Sequence, residues 1–498
     1  SQFQYLISIY QMANLISRSR NINHFRLTTR VGLLSLLNQR LSSNTSSFTT
    51  TAAGGFVEPP ATFSGKSAPI FRGARYQSNK AGEAQLETIY YEEDRHYQIN
   101  DENQVMDFPG GKVPITTQMK FISESSEKRL PCYGVLDDDG HLIPGTIFEE
   151  VSKELAVKMY CSMVTLQTMD TIFYEAQRQG RLSFYLTTAG EEAVNIASAA
   201  ALTLDDVVLP QYREVGVILW RGYSVQQIAH QLFGNKFDYG KGRQMPVHHG
   251  SNELNYFTVS SPIATQIPQA VGVAYSLKMD KKEACAVTYF GDGSTSEGDF
   301  HAALNFAAVL DAPVIFICRN NGWAISTPVN QQFRSDGIAS KGPAYGIRSI
   351  RVDGNDALAT YSAIRAAREM AIKEQRPILV EVMTYRVAHH STSDDSTKYR
   401  PVEEIEHWKT AKSPISRFRK YIQRNGWWSD ENESELRRDI RKQVLQAIQT
   451  AEKVEKSSLT DLFTDVYDKM PLNLQNQEKF LRDAVKRSPK EYPCDVPI

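Results

Sequence analysis

The chain has 498 residues, 41% of them hydrophobic, with 56 basic and 57 acidic side chains and a formal net charge of −1. That length can bury a large core and hold one big domain or two. The near-neutral balance argues against nucleic-acid binding, and with no apolar run of about 18 residues no membrane-spanning helix is expected. Five scattered cysteines (Cys132, Cys161, Cys285, Cys318, Cys494) form no Cys-x-x-Cys pair. They fit a reducing compartment and read as small buried hydrophobes.

Residues 1–57 contain no Asp or Glu, but include Arg18, Arg20, Arg26, Arg30 and Arg40 among apolar pairs and many Ser and Thr. This composition predicts a mitochondrial transit peptide over residues 1–60, and so a matrix location. Residues 61–105 are Gly-, Ser- and charge-rich and read as a linker or arm. The next region, 106–400, carries the periodic elements. Phe108-Pro109-Gly110-Gly111 marks a turn. Residues 132–136 and 141–143, around Asp137-Asp138-Asp139-Gly140, read as a β-hairpin. The three aspartates lack the later glutamate and the alternate spacing of a calcium loop.

A long helix is predicted over 149–179 and a second over 190–201, with Glu191 and Glu192 near its positive end. A short strand over 205–209 ends at Gln211-Tyr212-Arg213, and a helix spans 266–279. An apolar strand over 284–290 then ends on Gly291-Asp292-Gly293. An amphipathic helix (297–310) leads to a buried strand (313–318) that ends on Arg319-Asn320-Asn321. This is a βαβ unit. It places a carboxylate and an amide oxygen at the carboxyl ends of neighbouring strands, the edge where open α/β sheets bind ligands. Strands over 345–352 and 378–384 follow, separated by a helix over 357–374. The alternation predicts an α/β fold, a parallel sheet with helices on both faces. Beyond Pro401, amphipathic stretches at 415–425 and 433–456 predict a C-terminal helical region over 401–498, either for subunit contact or as solvated surface helices.

Mg²⁺ takes hard oxygen ligands in a tight octahedron. Asp292 and Asn321 supply two, and the Trp323 carbonyl can supply a third. Gly291 and Gly293 let the backbone approach a phosphate, and the N–H groups of Gly293 and Ser294 can face an anion. A lone Asp-Gly is ordinarily a turn and a lone Asn-Asn a loop; the pair at βαβ spacing is the signal. Arg213 and Arg319, both at strand ends, suit bidentate phosphate binding, although either alone would read as a surface ion pair. His389-His390-Ser391 follows the last strand. Adjacent histidines point in different directions and no third metal ligand is evident. His390 is therefore expected to move a proton or donate a hydrogen bond. His389 reads as structural, and Asp395 either pairs with Arg386 or holds the loop.

The Gly-Asp-Gly sequence followed after about 26 residues by Asn-Asn is a thiamine-diphosphate fingerprint. Four further stretches (RQGRLSFYL with GEEA, LPQYRE, SSPIATQIPQ and YRVAHHSTSDD) accompany it. With them the chain resembles, from about Asp107 to its end, the α-subunit family of the branched-chain 2-oxo acid dehydrogenase decarboxylating component, nearest in wording to plant mitochondrial forms. The resemblance implies the thiamine-diphosphate-binding fold and oxidative decarboxylation of branched-chain 2-oxo acids, with acyl transfer to a lipoyl group and release of CO₂.

It also implies roles for individual residues. Asp292, Asn321 and the Trp323 carbonyl would hold Mg²⁺; relatives can carry Glu and Tyr at the first and third of these. Tyr212, Arg213, Ser261, Gly293, Ser294, Arg319 and His390 would contact thiamine diphosphate. Ser260, Pro262, Thr265 and Gln266 would hold K⁺ and order their loop. Ser391 would be the phosphorylated serine, while a second family phosphosite falls on Pro401, which has no hydroxyl. Phe184, Tyr185 and Ile263 are candidates to meet the branched side chain. One sheet domain supplies only the diphosphate half of such a site. A separate β chain is therefore implied, in a heterotetramer of two α and two β chains, together with a lipoyl-bearing acyltransferase core and a regulatory kinase and phosphatase. The competing readings are an α subunit acting on pyruvate or acetoin, and a non-catalytic Mg²⁺-nucleotide module. The missing P-loop pattern counts against the latter.

Overall fold

The computed structural model describes residues 105–108, 111–114 and 129–498. The expected transit peptide, and the arm up to residue 104, lie outside the described residues. The chain divides into Ser1–Gln118 and Met119–Ile498. In the first unit, β1 (Val105–Phe108) and β2 (Gly111–Pro114) pair antiparallel, with Phe108 opposite Gly111.

The second unit is built on a six-stranded sheet. Its strands are β3 (Cys132–Tyr133), β4 (Val207–Leu209), β5 (Ala286–Gly291), β6 (Val314–Asn320), β9 (Arg348–Asp353) and β10 (Ile378–Met383). A small antiparallel ribbon, β7 (Trp323–Ala324) with β8 (Thr327–Pro328), sits in the connection between β6 and β9. The sheet order is β3-β9-β10-β6-β5-β4, and every pairing is parallel. Side chains alternate between faces along a strand, and both faces are apolar here. Val314, Phe316 and Cys318 join a cluster with Phe290, Leu379 and the helices Gln266–Met279 and Gly298–Leu310. Ile315 and Ile317 join the opposite cluster with Val287, Tyr289, Val380, Val382 and the helices Lys153–Arg178, Glu192–Ala200 and Ala357–Glu374. Near-continuous apolar strands are what a parallel sheet covered on both faces requires. All five cysteines are free; Cys318 in β6 and Cys285 just before β5 are buried, Cys161 is half-buried, and Cys132 and Cys494 are exposed, so the expectation of buried small hydrophobes holds for only part of the set.

Three expectations change. The expected hairpin is present only at its tip: Leu136 and Leu142 form an antiparallel bridge, with Asp137 N donating to the His141 carbonyl and Ile143 N to the Val135 carbonyl, both at 2.9 Å. Cys132 and Tyr133 instead form an edge strand parallel to β9. The buried Asp356 explains the difference, because its Oδ2 accepts from Val135 N at 2.7 Å and Leu136 N at 2.5 Å. Its Oδ1 caps the Ala357–Glu374 helix through Leu358 N and Ala359 N, both at 3.0 Å. Second, the long helix begins at Lys153, where the Ser152 hydroxyl accepts from Leu155 N at 3.2 Å and sets the start. Third, the helices after Pro401 are not merely solvated. Phe418 and Ile422 from Pro414–Arg424, and Val444 and Ile448 from Asp430–Glu452, are fully buried in the same cluster as the Lys153–Arg178 helix. Two helices there, Val402–Thr410 and Leu472–Arg487, went unpredicted. Among the described residues, no helix is long and apolar enough to cross a membrane.

Candidate active site

The parallel register sets Gly291, the last residue of β5, beside Arg319 of β6, and Asn320 beside Met383 of β10. Asp292, Asn321 and the 384–400 segment therefore leave the sheet at one edge. Gln211, Tyr212 and Arg213 reach the same edge after β4. A cavity of about 390 Å³ opens there, lined by Tyr212, Arg213, Asp292, Gly293, Ser294, Arg319, Asn321, Trp323 and His390 among others. Sequence reading had singled out each of those nine.

Asp292 is buried, and burial raises its carboxyl pKa above the ordinary value. Gln332 Nε2 donates to its Oδ2 at 2.5 Å. Gly293 and Ser294 lie in a 3₁₀ turn, Asp292–Ser296, and the α-helix starts only at Gly298. A Cβ on Gly293 would come within 2.7 Å of Ala324 Cβ, so the turn is pressed against the β7–β8 ribbon. Asn321 donates from Nδ2 to Glu191 Oε1 at 2.9 Å, and its Oδ1 accepts from Trp323 N at 3.3 Å. The Trp323 carbonyl accepts from Arg386 Nη1 at 3.1 Å. Carboxylate, amide oxygen and carbonyl are hard oxygen donors of the kind Mg²⁺ takes, and the cavity they line also carries three arginines.

Those arginines differ from the expectation. Arg319 does not present a free fork to a phosphate: its Nε donates to Glu214 and its Nη1 donates to Glu191 Oε2 at 2.5 Å. Burial alone would lower its pKa, but Glu214 and Glu191 hold it above the ordinary value. Arg213 donates to the Thr187 carbonyl at 2.6 Å and the His390 carbonyl at 3.0 Å. Arg386, which sequence reading raised only as a partner for Asp395, also lines the cavity. Burial and the adjacent Arg213 push its pKa down to about 10. Two like-charged guanidinium groups at one cavity favour an anion there.

Both arginines face His390 Nδ1, Arg213 Nη2 at 3.4 Å and Arg386 Nη1 at 3.5 Å. Burial first, then these two cations, depresses the imidazole pKa to about 3. The ring is therefore neutral near pH 7. With donors facing Nδ1, its proton sits on Nε2. The loop is held locally. Asp394 Oδ2 accepts from His390 N at 2.8 Å and Tyr399 OH at 2.5 Å. Arg400 Nη2 reaches the Ala388 carbonyl at 2.9 Å. His389 pairs with Ser396 Oγ at 2.9 Å, a structural contact. Asp395 accepts from Thr397 N and Oγ1 and holds the loop, with no ion pair to Arg386.

Some expected residues stand apart from the cavity. Ser261 is exposed, its Oγ is 2.8 Å from His248 Nε2, and it does not line the cavity. Ser260, Pro262, Thr265 and Gln266 do lie together: Thr265 Oγ1 is 2.8 Å from Ser260 Oγ and 3.1 Å from the Pro262 carbonyl. Gln266 is buried and donates to the Tyr289 carbonyl at 2.8 Å. Of the apolar candidates only Ile263 lines the cavity. Tyr185 is buried and donates to Asp170 at 2.7 Å, while Phe184 packs on the main core. Sequence reading missed four contributors. Gln211 accepts from Gly291 N at 3.0 Å, and its neighbour Tyr212 was the available signal. Gln332 gave none. Glu191 and Glu214 were legible as charges but not as partners of Arg319; Glu191, at a helix N-terminus, makes no capping bond there.

A parallel sheet with oxygen donors and arginines at its carboxyl edge defines an anion- and cation-binding α/β enzyme, and the Dehydrogenase E1 component family model matches residues 160–459. The chain belongs to that family of oxidoreductases. It is 70% identical over 390 residues (78% of this chain and 83% of the relative) to a protein of Arabidopsis thaliana named 2-oxoisovalerate dehydrogenase subunit alpha 1, mitochondrial. Its identity to the alpha 2 counterpart of that plant is 67% over 402 residues, covering 81% of this chain and 85% of the relative. The Homo sapiens 2-oxoisovalerate dehydrogenase subunit alpha, mitochondrial, is 48% identical over 388 residues, 78% of this chain and 87% of the relative.

Proposed function

We propose that this chain is the α subunit of the decarboxylating component of a mitochondrial branched-chain 2-oxo acid dehydrogenase complex. The observation that carries the proposal is the convergence of Asp292, Asn321, Arg213 and His390 on one cavity at the sheet edge. The relatives' shared name supports the substrate class, and their mitochondrial designation supports reading residues 1–60 as a transit peptide.

Asp292, the Asn321 amide oxygen and the Trp323 carbonyl hold Mg²⁺. Arg213, Tyr212, Ser294 and the remaining donor of Arg319 orient the diphosphate of thiamine diphosphate. Bound there, the cofactor supplies the nucleophilic carbon and the electron sink that decarboxylation needs. Neutral His390 offers its Nε2–H as a hydrogen bond to the developing charge on the substrate oxygen. Ile263 meets the branched side chain. The Ser260–Gln266 loop holds K⁺. A β chain completes the site, and the acyl group passes to a lipoyl group of an acyltransferase core. Ser391 is a phosphorylation site for a regulatory kinase, one residue from His390.

The experiment is co-expression with a β chain and an assay of CO₂ release with thiamine diphosphate and Mg²⁺. Turnover of 2-oxoisovalerate well above that of pyruvate is expected. Preference for pyruvate would refute the substrate assignment, and failure to bind the cofactor would refute the whole proposal.

A further inference from the structure

The Glu191 carboxylate is fully buried and contacts three residues assigned above, Asn321 to the metal and Arg213 and Arg319 to the cofactor. Its Oε2 accepts from Arg319 Nη1 at 2.5 Å, its Oε1 accepts from Asn321 Nδ2 at 2.9 Å, and Arg213 Nε lies 3.9 Å from Oε1. A side-chain amide has two chemically opposite ends, and nothing in its shape decides which one faces the metal. A carboxylate oxygen placed as an acceptor decides it. Both Glu191 oxygens are taken in that way here, Oε2 by Arg319 Nη1 and Oε1 by Asn321 Nδ2. The NH₂ end of Asn321 must turn toward it, and Oδ1 is left on the other side, where Trp323 N also donates.

We propose that Glu191 is the positioning residue of the metal site: it fixes the Asn321 flip so that Oδ1 faces Mg²⁺, and it balances the two arginines at the diphosphate end. This rests on the proposed function. Outer-shell carboxylates that orient a ligand typically govern about 10–100-fold in metal affinity. Glu214 takes the Nε edge of Arg319 but does not touch Asn321, so it shares the charge balance and not the orientation.

The test titrates Mg²⁺ into the assembled α/β protein and follows thiamine diphosphate binding by calorimetry. Unchanged protein must first show Mg²⁺-dependent binding; its absence would overturn the cofactor assignment rather than the role of Glu191. Glu191→Gln is expected to raise the Mg²⁺ requirement about 10–100-fold, with full cofactor occupancy restored by excess Mg²⁺. An unchanged requirement overturns the proposal, and so does cofactor binding lost at every Mg²⁺ concentration, which a purely structural role would produce.

Asn321→Asp gives an independent arm should Glu191→Gln fail to assemble. An added carboxylate ordinarily strengthens Mg²⁺ binding, but here it would face Glu191 across 2.9 Å. Weaker Mg²⁺ binding is expected, relieved when Glu191→Gln is combined with it. Equal or tighter binding by Asn321→Asp alone overturns the proposal.

Discussion

The two halves of the cavity are built differently. The proposed metal half stands on strand ends. Asp292 follows β5, Asn321 follows β6, and a buried lattice of Glu191, Glu214 and Arg319 lies beneath them. The histidine half is a loop. Residues 386–400 have no strand of their own and keep their shape through Arg386, Arg400, Asp394 and Tyr399. Arg386 is the tie between them, donating to the Trp323 carbonyl from one half while facing His390 in the other. A rigid base beside a locally held loop is the division that the proposed regulation by a single added charge would use.

The largest effect should come from the rigid half. Asp292→Ala removes the only carboxylate among the three proposed Mg²⁺ donors and leaves Gln332 Nε2 only the Thr327 carbonyl at 3.4 Å. Thiamine diphosphate binding, measured by calorimetry in Mg²⁺, is expected to fall by at least about 100-fold. Unchanged affinity would refute the metal assignment. Ser391→Glu tests the loop half. A negative charge one residue from His390, beside Asp394, should displace the hydrogen bond that Asp394 accepts from His390 N. Decarboxylation is expected to fall at least about tenfold while cofactor affinity stays within a few-fold. Full activity in the assembled complex would end the idea that this loop is the switch.

The rigid half was the legible half, for a physical reason. Apolar strands that end on Gly-Asp-Gly and Asn-Asn state their own boundaries, and parallel register then forces Asp292 and Asn321 to the same edge. The ion lattice was not legible. Glu191 and Glu214 are separated from Arg319 by more than 100 residues, and no local pattern says that a charge is buried. The same holds for Asp356, whose carboxylate ties residues 135 and 136 to a helix more than 200 residues away and so leaves the expected hairpin only its tip. Helix Asp430–Glu452 read as surface because its sequence is rich in charge. Its buried stripe of Ile440, Val444, Ala447, Ile448 and Ala451 is narrow but sufficient to dock it.

A pH experiment separates the stability of the scaffold from the chemistry of the loop. His249 is buried, with neither ring nitrogen hydrogen-bonded among the described residues. Burial, then the neighbouring His248, depresses its pKa to about 3. The unfolded chain takes up a proton below about pH 6.5, whereas the folded chain does not until about pH 3. The unfolded state binds more protons in that window, so stability present at neutral pH is lost as pH falls through it. By pH 5 this one group should remove about 2 kcal/mol. His249→Gln should flatten the decline of the thermal midpoint between pH 7 and pH 5. An identical slope would mean that His249 is solvated or paired in solution.

The smallest expected effect comes from Ser261, where family resemblance and geometry diverge. Resemblance gives Ser261 a contact with thiamine diphosphate. In this fold its hydroxyl is exposed, 2.8 Å from His248 Nε2, and it does not line the cavity that Ser294 does line. Ser261→Ala therefore removes one solvent-accessible hydrogen bond, a change of about 1 kcal/mol or less. Cofactor affinity should shift by no more than about fivefold, well below the loss expected for Asp292→Ala. If the backbone amide of Ser261 reaches the cofactor once the β chain is present, this variant preserves it and the small effect stands. If the hydroxyl itself makes the contact, the variant will lose affinity in the assembled protein in proportion to a buried, charge-assisted bond. Calorimetry on the assembled protein reads that difference directly, and a large loss would show that the 260–266 loop is rebuilt around His248 when the β chain docks.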